Sequence, residues 1–247
     1  MAAGKNKILR WLRIFVNGYN LSGDARNIGE MANAFEAVDM TGWSQALRRY
    51  LPNMRRQVGV NGFQALANDT SLSGAHSVMK TPGDVNVSVL FGALAEPTYG
   101  DPAYLLSGAQ INAAMGWDGE AAVISGNFVP DGGASDYSPL GLVLHPETGR
   151  SATFTGTALD NGAASLVGWQ ANLHLTTAVS GNFALIIEHS ATGAWAGEQA
   201  TLGSFTLTGA AVGSENISGA GTVERYVRLK GTRTAGSITP VVTFARE

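Results

Sequence analysis

Residues 85 to 91 read VNVSVLF, and apolar and polar side chains alternate along this stretch. In an extended chain, successive side chains point to opposite faces, so every second residue lies on the same side. One face therefore carries Val85, Val87, Val89 and Phe91, and the other carries Asn86 and Ser88. This alternation predicts a half-buried antiparallel strand.

The same pattern recurs along much of the chain. In residues 111–117, INAAMGW, one face carries Ile111, Ala113, Met115 and Trp117. Further alternating stretches, bounded by glycine, proline or asparagine, cover residues 172–179, 182–189, 204–208, 225–230 and 239–245. The 32 glycines are about double the usual share and suit strands joined by tight turns. These patterns predict an all-β fold, mainly an antiparallel β-sandwich.

Helical periodicity is confined to two segments. Residues 71–81, SLSGAHSVMKT, place three apolar side chains on one helical face, and Pro82 follows just past the end. The three apolar residues are Leu72, Ala75 and Met79, and the N-cap candidates are Asp69, Thr70 and Ser71. Residues 28–38, IGEMANAFEAV, show a weaker helical spacing through Ile28, Met31 and Phe35. We therefore expect one short helix flanking the strands.

A domain boundary is expected at VPDGGASDYSP, residues 129–139, which is the longest stretch dominated by turn-forming residues. Before it, strand patterns mix with the helix, and after it only strand patterns are found. We therefore predict two β-rich domains, residues 1–133 and residues 134–247, the second being a β-sandwich.

Charge and composition restrict the classes of function. Only 14% of the residues are charged, the formal net charge is -3 and the isoelectric point is near 5.8. A general nucleic-acid-binding domain is expected to be basic, so this class is disfavoured. The absence of cysteine excludes disulfides and thiolate metal sites. The opening segment MAAGKNKILRWLRIFV interrupts its apolar run with Arg10 and Arg13. It predicts neither a signal peptide nor a membrane span, and we expect a soluble chain made in a cytoplasm.

No arrangement of residues predicts catalysis or a cofactor. The four histidines, at positions 76, 145, 174 and 189, are scattered and have no partner at metal-ligand spacing. No serine lies in a nucleophile elbow, and no glycine-rich loop matches a phosphate-binding motif. Asp118 and Glu120 resemble a carboxylate pair, but Asp-Gly between two alternating runs indicates a tight hairpin turn. We expect a protein that is not an enzyme and has no cofactor.

The order of segments resembles the major tail proteins, or tail tube proteins, of long-tailed bacteriophages. The motif with most weight is an aspartate, a Thr-Gly and then YLPNMRRQVGVNGF, in which Asn53 stands where that family commonly has glycine. A helix AHSVMKT, a strand VNVSVLFGA and a hairpin INAAMGWDGEAAVISGNFVP follow. In the second half, FALIIEHSATGAWAG and TVERYVRLKGTRTAGSITPVVTFAR are similar to the C-terminal β-sandwich region of some phage tail proteins.

This resemblance implies a tail-tube-like N-terminal domain and a structural role in the virion tail after assembly in the host cytoplasm. The long hairpin of such a subunit joins those of its neighbours into a barrel, and rings stack around a channel through which DNA passes. The implied partners are further copies of the chain, as a trimeric pseudo-hexamer or a hexamer, and other phage tail proteins. A head-decorating or head-tail joining protein shares the composition. A carbohydrate-binding adhesin stays a third possibility because five tryptophans are spread along the chain.

Two charge features predict contact sites. Four arginines within residues 48–56, namely Arg48, Arg49, Arg55 and Arg56, flank a turn expected at Pro52. They form a solvated loop, a contact with acidic groups of a neighbouring subunit or a contact with DNA, and we favour the protein contact. Residues 61–224 contain 14 acidic and two basic residues. Cations along the channel that the resemblance implies would bind DNA and slow it, so we expect an acidic or neutral lining with Asp101, Asp118 and Glu120 as candidates. The alternative is that these acids only solubilise an outer surface.

Overall fold

A computed structural model describes residues 11–39, 50–68, 73–93, 96–130 and 138–246, without the side chains of residues 34–57 and 179. Within these residues, the chain forms sixteen β-strands and one helix, α1, at Ala75–Met79. The strands are β1 Trp11–Val16, β2 Tyr19–Asn20, β3 Ala25–Asn27, β4 Glu30–Asp39, β5 Tyr50–Leu66, β6 Asp84–Gly92, β7 Pro102–Gln110, β8 Ala114–Asp118, β9 Ala121–Pro130, β10 Leu140–His145, β11 Phe154–Thr155, β12 Leu159–Asp160, β13 Trp169–Ser190, β14 Ala200–Ser204, β15 Gly213–Gly219 and β16 Tyr226–Arg246. Every described pairing is antiparallel. The predicted all-β class with one short helix is confirmed.

The first half of the chain packs its strands around one apolar core. β6 pairs with β1 along one edge and with β7 along the other, and the end of β7 pairs with β9. β9 then pairs with β5, which pairs with β4. Among the fully buried side chains are Phe63, Phe128, Tyr104 and, from α1, Met79. Each large apolar side chain buried in this way stabilises the fold by about 2 kcal/mol.

Tyr104 links three of these strands through a single polar atom. Its hydroxyl lies 2.7 Å from the carbonyl oxygen of Ala32 in β4 and accepts the N–H of Gly59 in β5 at 3.0 Å. Burial raises the pKa of Tyr104 to about 12. The phenol is therefore neutral at physiological pH, and β7 is fixed against β4 and β5 without a buried charge.

Two long strands organise the second half. β13 and β16 pair along their whole length, from Trp169 opposite Arg246 to Ser190 opposite Tyr226. The register shifts between residues 175 and 177 and again after residue 179. Because a bulge bends a strand, the two-stranded ribbon formed by β13 and β16 bends near its middle. One part of β13 also pairs with β15 and the other with β14. The core of this half includes Leu173, Phe183, Leu185, Leu229 and Phe244.

β10 connects the two halves. It pairs with β7 through residues 140–142 and with β16 through residues 142–145. A small apolar cluster also draws on both halves, and it consists of Phe15, Leu90, Ala103, Val143 and Val241. The predicted division between residues 133 and 134 falls outside the described residues and stays a prediction.

The segment at residues 28–38 was predicted as a weak helix, and this prediction is wrong. Residues 30–39 form β4, with Met31 opposite Val60 and Ala32 opposite Gly59. Helix propensity is a weak preference that tertiary context overrides. Here the pairing with β5 satisfies the backbone groups that a helix would otherwise have paired internally.

The turn expected at Pro52 is also absent. Pro52 lies within β5, opposite Ala37, where the register shifts between Phe35 and Ala37. Proline cannot donate to a strand ladder and is tolerated at bulges and edges. The irregularity that the sequence suggested is therefore a bulge inside a 17-residue strand.

The helix begins later than predicted, and its cap comes from elsewhere in the chain. α1 begins at Ala75, and its N-cap residue Gly74 offers no side-chain bond. The N–H of Ala75 instead donates to the Asp24 carboxylate at 3.1 Å. The cap candidates at positions 69–71 lie outside the described residues. A carboxylate 51 residues away meets the same need for an acceptor at the first turn.

Strand boundaries in the second half differ from the sequence pattern in three places. The stretches at residues 172–179 and 182–189 form one strand, β13, and those at 225–230 and 239–245 belong to β16. The prediction of a strand at residues 204–208 is wrong, because β14 ends at Ser204. Beyond it, the N–H groups of Thr206 and Leu207 donate to the carboxylate of Glu215 at 2.8 and 2.7 Å. A side chain thus replaces the neighbouring strand as acceptor.

Candidate interaction surface

The hairpin of β8 and β9 has an unpaired edge. Asp118 pairs with Ala121, and Gly119 between them has φ +64°. A glycine with positive φ at the first central position is typical of a tight two-residue hairpin turn. The turn predicted at Asp118 and Gly119 is therefore confirmed. In the part of the chain that the structure describes, β8 pairs with β9 alone, so its other edge is open.

This hairpin presents large apolar side chains to solvent. All five residues of β8 are exposed. Trp117 is 78% exposed and Met115 is 59% exposed, as is Ile111 just before the strand. An edge strand usually carries charged residues or a proline that prevent pairing with another chain. β8 carries a charge only at Asp118, its last residue, so most of its length is an accessible apolar edge.

Of the three predicted lining carboxylates, Asp118 and Glu120 lie at the same hairpin turn, whereas Asp101 lies elsewhere. Asp118 lies 3.3 Å from the guanidinium of Arg26, and Glu120 is exposed at the turn and accepts no hydrogen bond from the described residues. Asp101 lies before β7, where its carboxylate accepts the N–H of Thr98 at 2.8 Å. The nine residues of β7 separate Asp101 from the hairpin by about 30 Å at the usual rise per residue. Their role in lining a channel stays a prediction.

The arginine-rich segment is described only in part. Arg48 and Arg49 lie outside the described residues. Arg55 and Arg56 belong to β5 by their backbone, with Arg56 opposite Phe35, and their side chains are not described. Their predicted contact with a neighbouring subunit stays a prediction.

A buried polar seam joins the two halves, and the sequence did not reveal it. His174 and Asn172 of β13, Thr243 of β16 and Ser88 of β6 are all fully buried. The Ser88 hydroxyl lies 2.9 Å from Nε2 of His174 and 3.0 Å from the Thr243 hydroxyl. The N–H of Gly18 donates to Nδ1 of His174 at 3.2 Å. Because Nδ1 accepts, the ring proton lies on Nε2, and the histidine is neutral.

Asn172 extends this seam onto the backbone of the first half. Its amide nitrogen donates to the carbonyl oxygens of Val87 at 3.0 Å and Leu106 at 3.1 Å. Its amide oxygen accepts a bond from Asn216 at 2.7 Å. The alternation in residues 85–91 therefore predicted the strand but not its environment, since the face of Ser88 is covered by the second half.

The seam does not form a nucleophilic site. A serine next to a histidine can be an activated nucleophile, but it must reach a substrate. Ser88 and His174 are both 0% exposed. Burial also lowers the pKa of His174 to about 3. The pair therefore holds the two halves together as neutral, mutually bonded groups.

The tryptophans are distributed over separate elements. Trp11 lies in β1, Trp117 in β8 and the buried Trp169 in β13, whereas Trp43 lies outside the described residues. Trp195 lies in a loop with φ +62°, a conformation that is strained for a large residue. A sugar-binding platform needs aromatic rings presented together, and the described tryptophans do not form one.

Trp195 covers a buried ion pair. The guanidinium of Arg228 lies 3.7 Å from the centre of the Trp195 ring and bonds to the Glu188 carboxylate at 2.8 Å. Lys230 donates to the other oxygen of Glu188 at 3.1 Å. Burial raises the pKa of Glu188, but the hydrogen bonds from Arg228 and Lys230 lower it by more, so the pKa is below its usual value. These contacts stabilise the loop without any external ligand.

Neither a metal centre nor a membrane-spanning helix is found in the described part of the chain. Its histidine, aspartate and glutamate side chains form no group of three that could hold a metal ion. None of its helices is long and apolar enough to cross a membrane.

Comparison with known proteins gives only distant structural similarities. No protein-family model matches the sequence, and no curated protein matches it. One is the Dit (gp 19.1) protein of SPP1, described as a paradigm of the hub adsorption apparatus in phages infecting Gram-positive bacteria. It is 13% identical, with a TM-score of 0.35 over 96% of this chain and 99% of that one. A structure of the infectious bursal disease virus Gx strain is 10% identical, with a TM-score of 0.29 over 98% of this chain and 72% of that one. Similarities at this level assign neither a family nor a function.

Proposed function

We propose that this chain is a structural virion protein, a phage tail tube subunit that forms stacked rings around a DNA-conducting channel. The observation that supports it best is the β8–β9 hairpin, whose outer edge is unpaired and whose apolar side chains are exposed. A monomer that exposes such an edge is open to strand pairing with another chain. In the proposal, the hairpin of each subunit pairs with a neighbouring subunit in the ring.

The composition and the fold are consistent with this role. A chain with 14% charged residues can form extended dry contacts, as obligate interfaces do. Rings that stack along an axis need heterologous contacts between different faces of the subunit. The role requires neither catalysis nor a cofactor, and the proposal includes neither. In this proposal DNA passes through the lumen without specific binding, and the subunit resides in the virion tail beside other tail proteins.

Electron microscopy of the concentrated purified protein tests the proposal. Rings or tubes are expected for the unmodified protein. The double variant Met115→Lys and Trp117→Lys should remain folded and form none, because two ammonium groups would have to be desolvated at the strand edge. Leu166→Lys is a matched control, since Leu166 is 76% exposed but lies in a loop outside the hairpin.

Three results would contradict the proposal. A strictly monomeric protein at all concentrations would exclude assembly. Normal rings from the double variant would exclude the hairpin as the contact. Isolated trimers that bind only to capsids would identify a head-decorating protein instead.

A further inference from the structure

Arg150 lies among three aromatic rings on the surface of the second half. Its guanidinium carbon is 4.8 Å from the centre of the Phe154 ring. The His145 ring lies 5.2 Å from Phe154 and 5.5 Å from Tyr99. Phe154 and His145 are buried, whereas Arg150 and Tyr99 are half-buried. The arginine therefore covers an aromatic cluster and keeps one side accessible to solvent.

Among the described residues, the hydrogen-bond partners of the Arg150 side chain are neutral groups. Its Nε and Nη2 atoms lie 3.2 and 3.0 Å from Nε2 of His145, and Nη2 also donates to the Tyr99 hydroxyl at 3.2 Å. Nδ1 of His145 lies 3.1 Å from the carbonyl oxygen of Pro240, so the ring proton is on Nδ1 and Nε2 accepts. Burial, followed by the charge of Arg150, lowers the pKa of His145 to about 4. The imidazole is thus neutral and offers no counter-charge.

No carboxylate contacts Arg150 in the described part of the chain, unlike the arginines whose ion pairs the structure records. Those are Arg13 with Glu96, Arg26 with Asp118, Arg225 with Asp160 and Arg228 with Glu188. Of the five N–H donors of a guanidinium, the two on Nη1 of Arg150 have no described acceptor. Because the Tyr99 hydroxyl accepts from Nη2, its own proton is also left to donate.

The position of these donors is fixed. The N–H and C=O of Arg150 bond to the C=O and N–H of Ile238 in β16 at 2.7 and 2.9 Å. The side chain is held by His145, Tyr99 and the face of Phe154. Binding at such a site does not have to immobilise a flexible side chain, which lowers the entropic cost of the contact.

We propose that Arg150 and Tyr99 form a receptor for a carboxylate that is supplied by a side chain of a second copy of this protein. The carboxylate accepts N–H bonds from Nη1 of Arg150 and the O–H of Tyr99. Arginine donors bind carboxylates in charge-assisted bonds that are stronger than neutral ones.

The charge distribution of the chain supports a second copy as the source. Residues 61–224 contain 14 acidic residues, and Lys80 and Arg150 are their only basic ones. Among the exposed acids, the side-chain carboxylates of Asp84 and Glu120 accept no hydrogen bond from the described residues. A surface with such an excess of carboxylates is complementary to the uncompensated guanidinium of its neighbour.

Sedimentation equilibrium measures the self-association constant and tests the proposal. Arg150→Gln should lower this constant by about tenfold or more, the loss expected for a charged hydrogen bond. Tyr99→Phe keeps the ring and removes only the hydroxyl, and it should lower the constant by about three- to tenfold. Arg233→Gln is the control, because the exposed Arg233 guanidinium donates only to the carbonyl oxygen of Gly236 in the described structure.

A second measurement examines the site without assembly. In dilute ¹⁵N-labelled protein, the Nε signal of Arg150 should shift and saturate with succinate but not with sodium chloride at equal ionic strength. This titration does not depend on ring formation. If no rings are seen, yet Arg150→Gln still weakens self-association, the tail tube function fails and the carboxylate receptor stands.

Each of the following results would overturn the receptor. The association constant is unchanged in Arg150→Gln, or Tyr99→Phe behaves like the unmodified protein. Succinate gives no specific shift of the Nε signal. Succinate binds but the protein stays monomeric, in which case the carboxylate is a free molecule. Finally, Arg150-dependent retention on immobilised duplex DNA would assign the site to phosphate.

Discussion

The histidine in the seam predicts a specific loss of stability in mild acid. Burial lowers the pKa of His174 to about 3, and burial together with Arg150 lowers that of His145 to about 4, from an ordinary value of 6.5. Both rings accept a hydrogen bond on one nitrogen, from Gly18 and Arg150 respectively. Protonation would convert each acceptor into a donor and place a charge in a site where no carboxylate of the described residues faces it. Folding therefore favours the neutral form of both rings.

The direction of the pH dependence follows from these pKa values. At pH 5 the unfolded chain binds a proton on each histidine, whereas the folded chain binds almost none, so the stability rises with pH. The stability that depends on neutral His174 is fully present above pH 6.5, and it is lost as the pH falls from 6.5 towards 3. Each histidine lowers the free energy of unfolding by about 2 kcal/mol between pH 7.5 and pH 5.0. Together they lower it by about 4 kcal/mol, a large part of the usual stability of a domain.

Urea denaturation at pH 7.5, 6.5, 5.75 and 5.0 measures this loss. Carboxylates ionise with pKa values near 4, so most of the change above pH 5 comes from histidine. The variant His174→Gln should be less stable than the unmodified protein at pH 7.5, because the bonds to Gly18 and Ser88 are weakened. Its free energy of unfolding should then fall by about 2 kcal/mol less between pH 7.5 and 5.0.

Two outcomes would refute this reasoning. If His174→Gln shows the same pH dependence as the unmodified protein, His174 does not titrate between the folded and unfolded states as described. If the unmodified protein is equally stable at pH 7.5 and pH 5.0, neither buried histidine is held in its neutral form.

Two further predictions concern packing and charge. Gly18→Ala should destabilise the protein by about 2 kcal/mol or more. Its Cβ would clash with the carbonyl oxygen of Gly213, and its φ is +88°. Gly23→Ala should change the stability little, because nothing lies within 4 Å of the added Cβ. Glu188→Gln should lower the free energy of unfolding by about 3 kcal/mol, because two cations lose their buried partner. Asp160→Asn removes one partner of an exposed ion pair and should change the free energy of unfolding much less. Chemical denaturation at pH 7.5 measures all four; equal effects within either pair of variants would contradict the structural explanation.

The sequence predicted those features that depend on neighbours along the chain. Alternation located β6, and the Asp-Gly pair at residue 118 located the hairpin turn, because both signals are local. Helix propensity failed at β4, where pairing with β5 decides the conformation. The cap of α1 also escaped prediction, since Asp24 is brought to Ala75 only by the folded structure.

The candidate sites show the same limit. Neither the polar face of Ser88 nor the scattered histidines indicated a seam, because the hydroxyl of Ser88 meets Thr243 across 155 residues of sequence. The apolar residues of β8 were recognised as one face of a strand, but alternation gives no information on which face is covered. The cluster around Arg150 could not be predicted from the sequence either. Tyr99 lies 51 residues away along the chain, and Phe154 is positioned by the pairing of β11 with β16.

The separation between Ser88 and Thr243 has a consequence for synthesis of the chain. Ribosomes add about 5–20 residues per second, so the 155 residues that separate the two partners take about 8–30 s to appear. Until the second half is made, the groups of β6 and β7 that bond to it in the folded protein, such as the Ser88 hydroxyl, have water as their hydrogen-bond partner instead. The first half can therefore form its own core early, but its contacts with the second half form only after the β13–β16 pair has been synthesised.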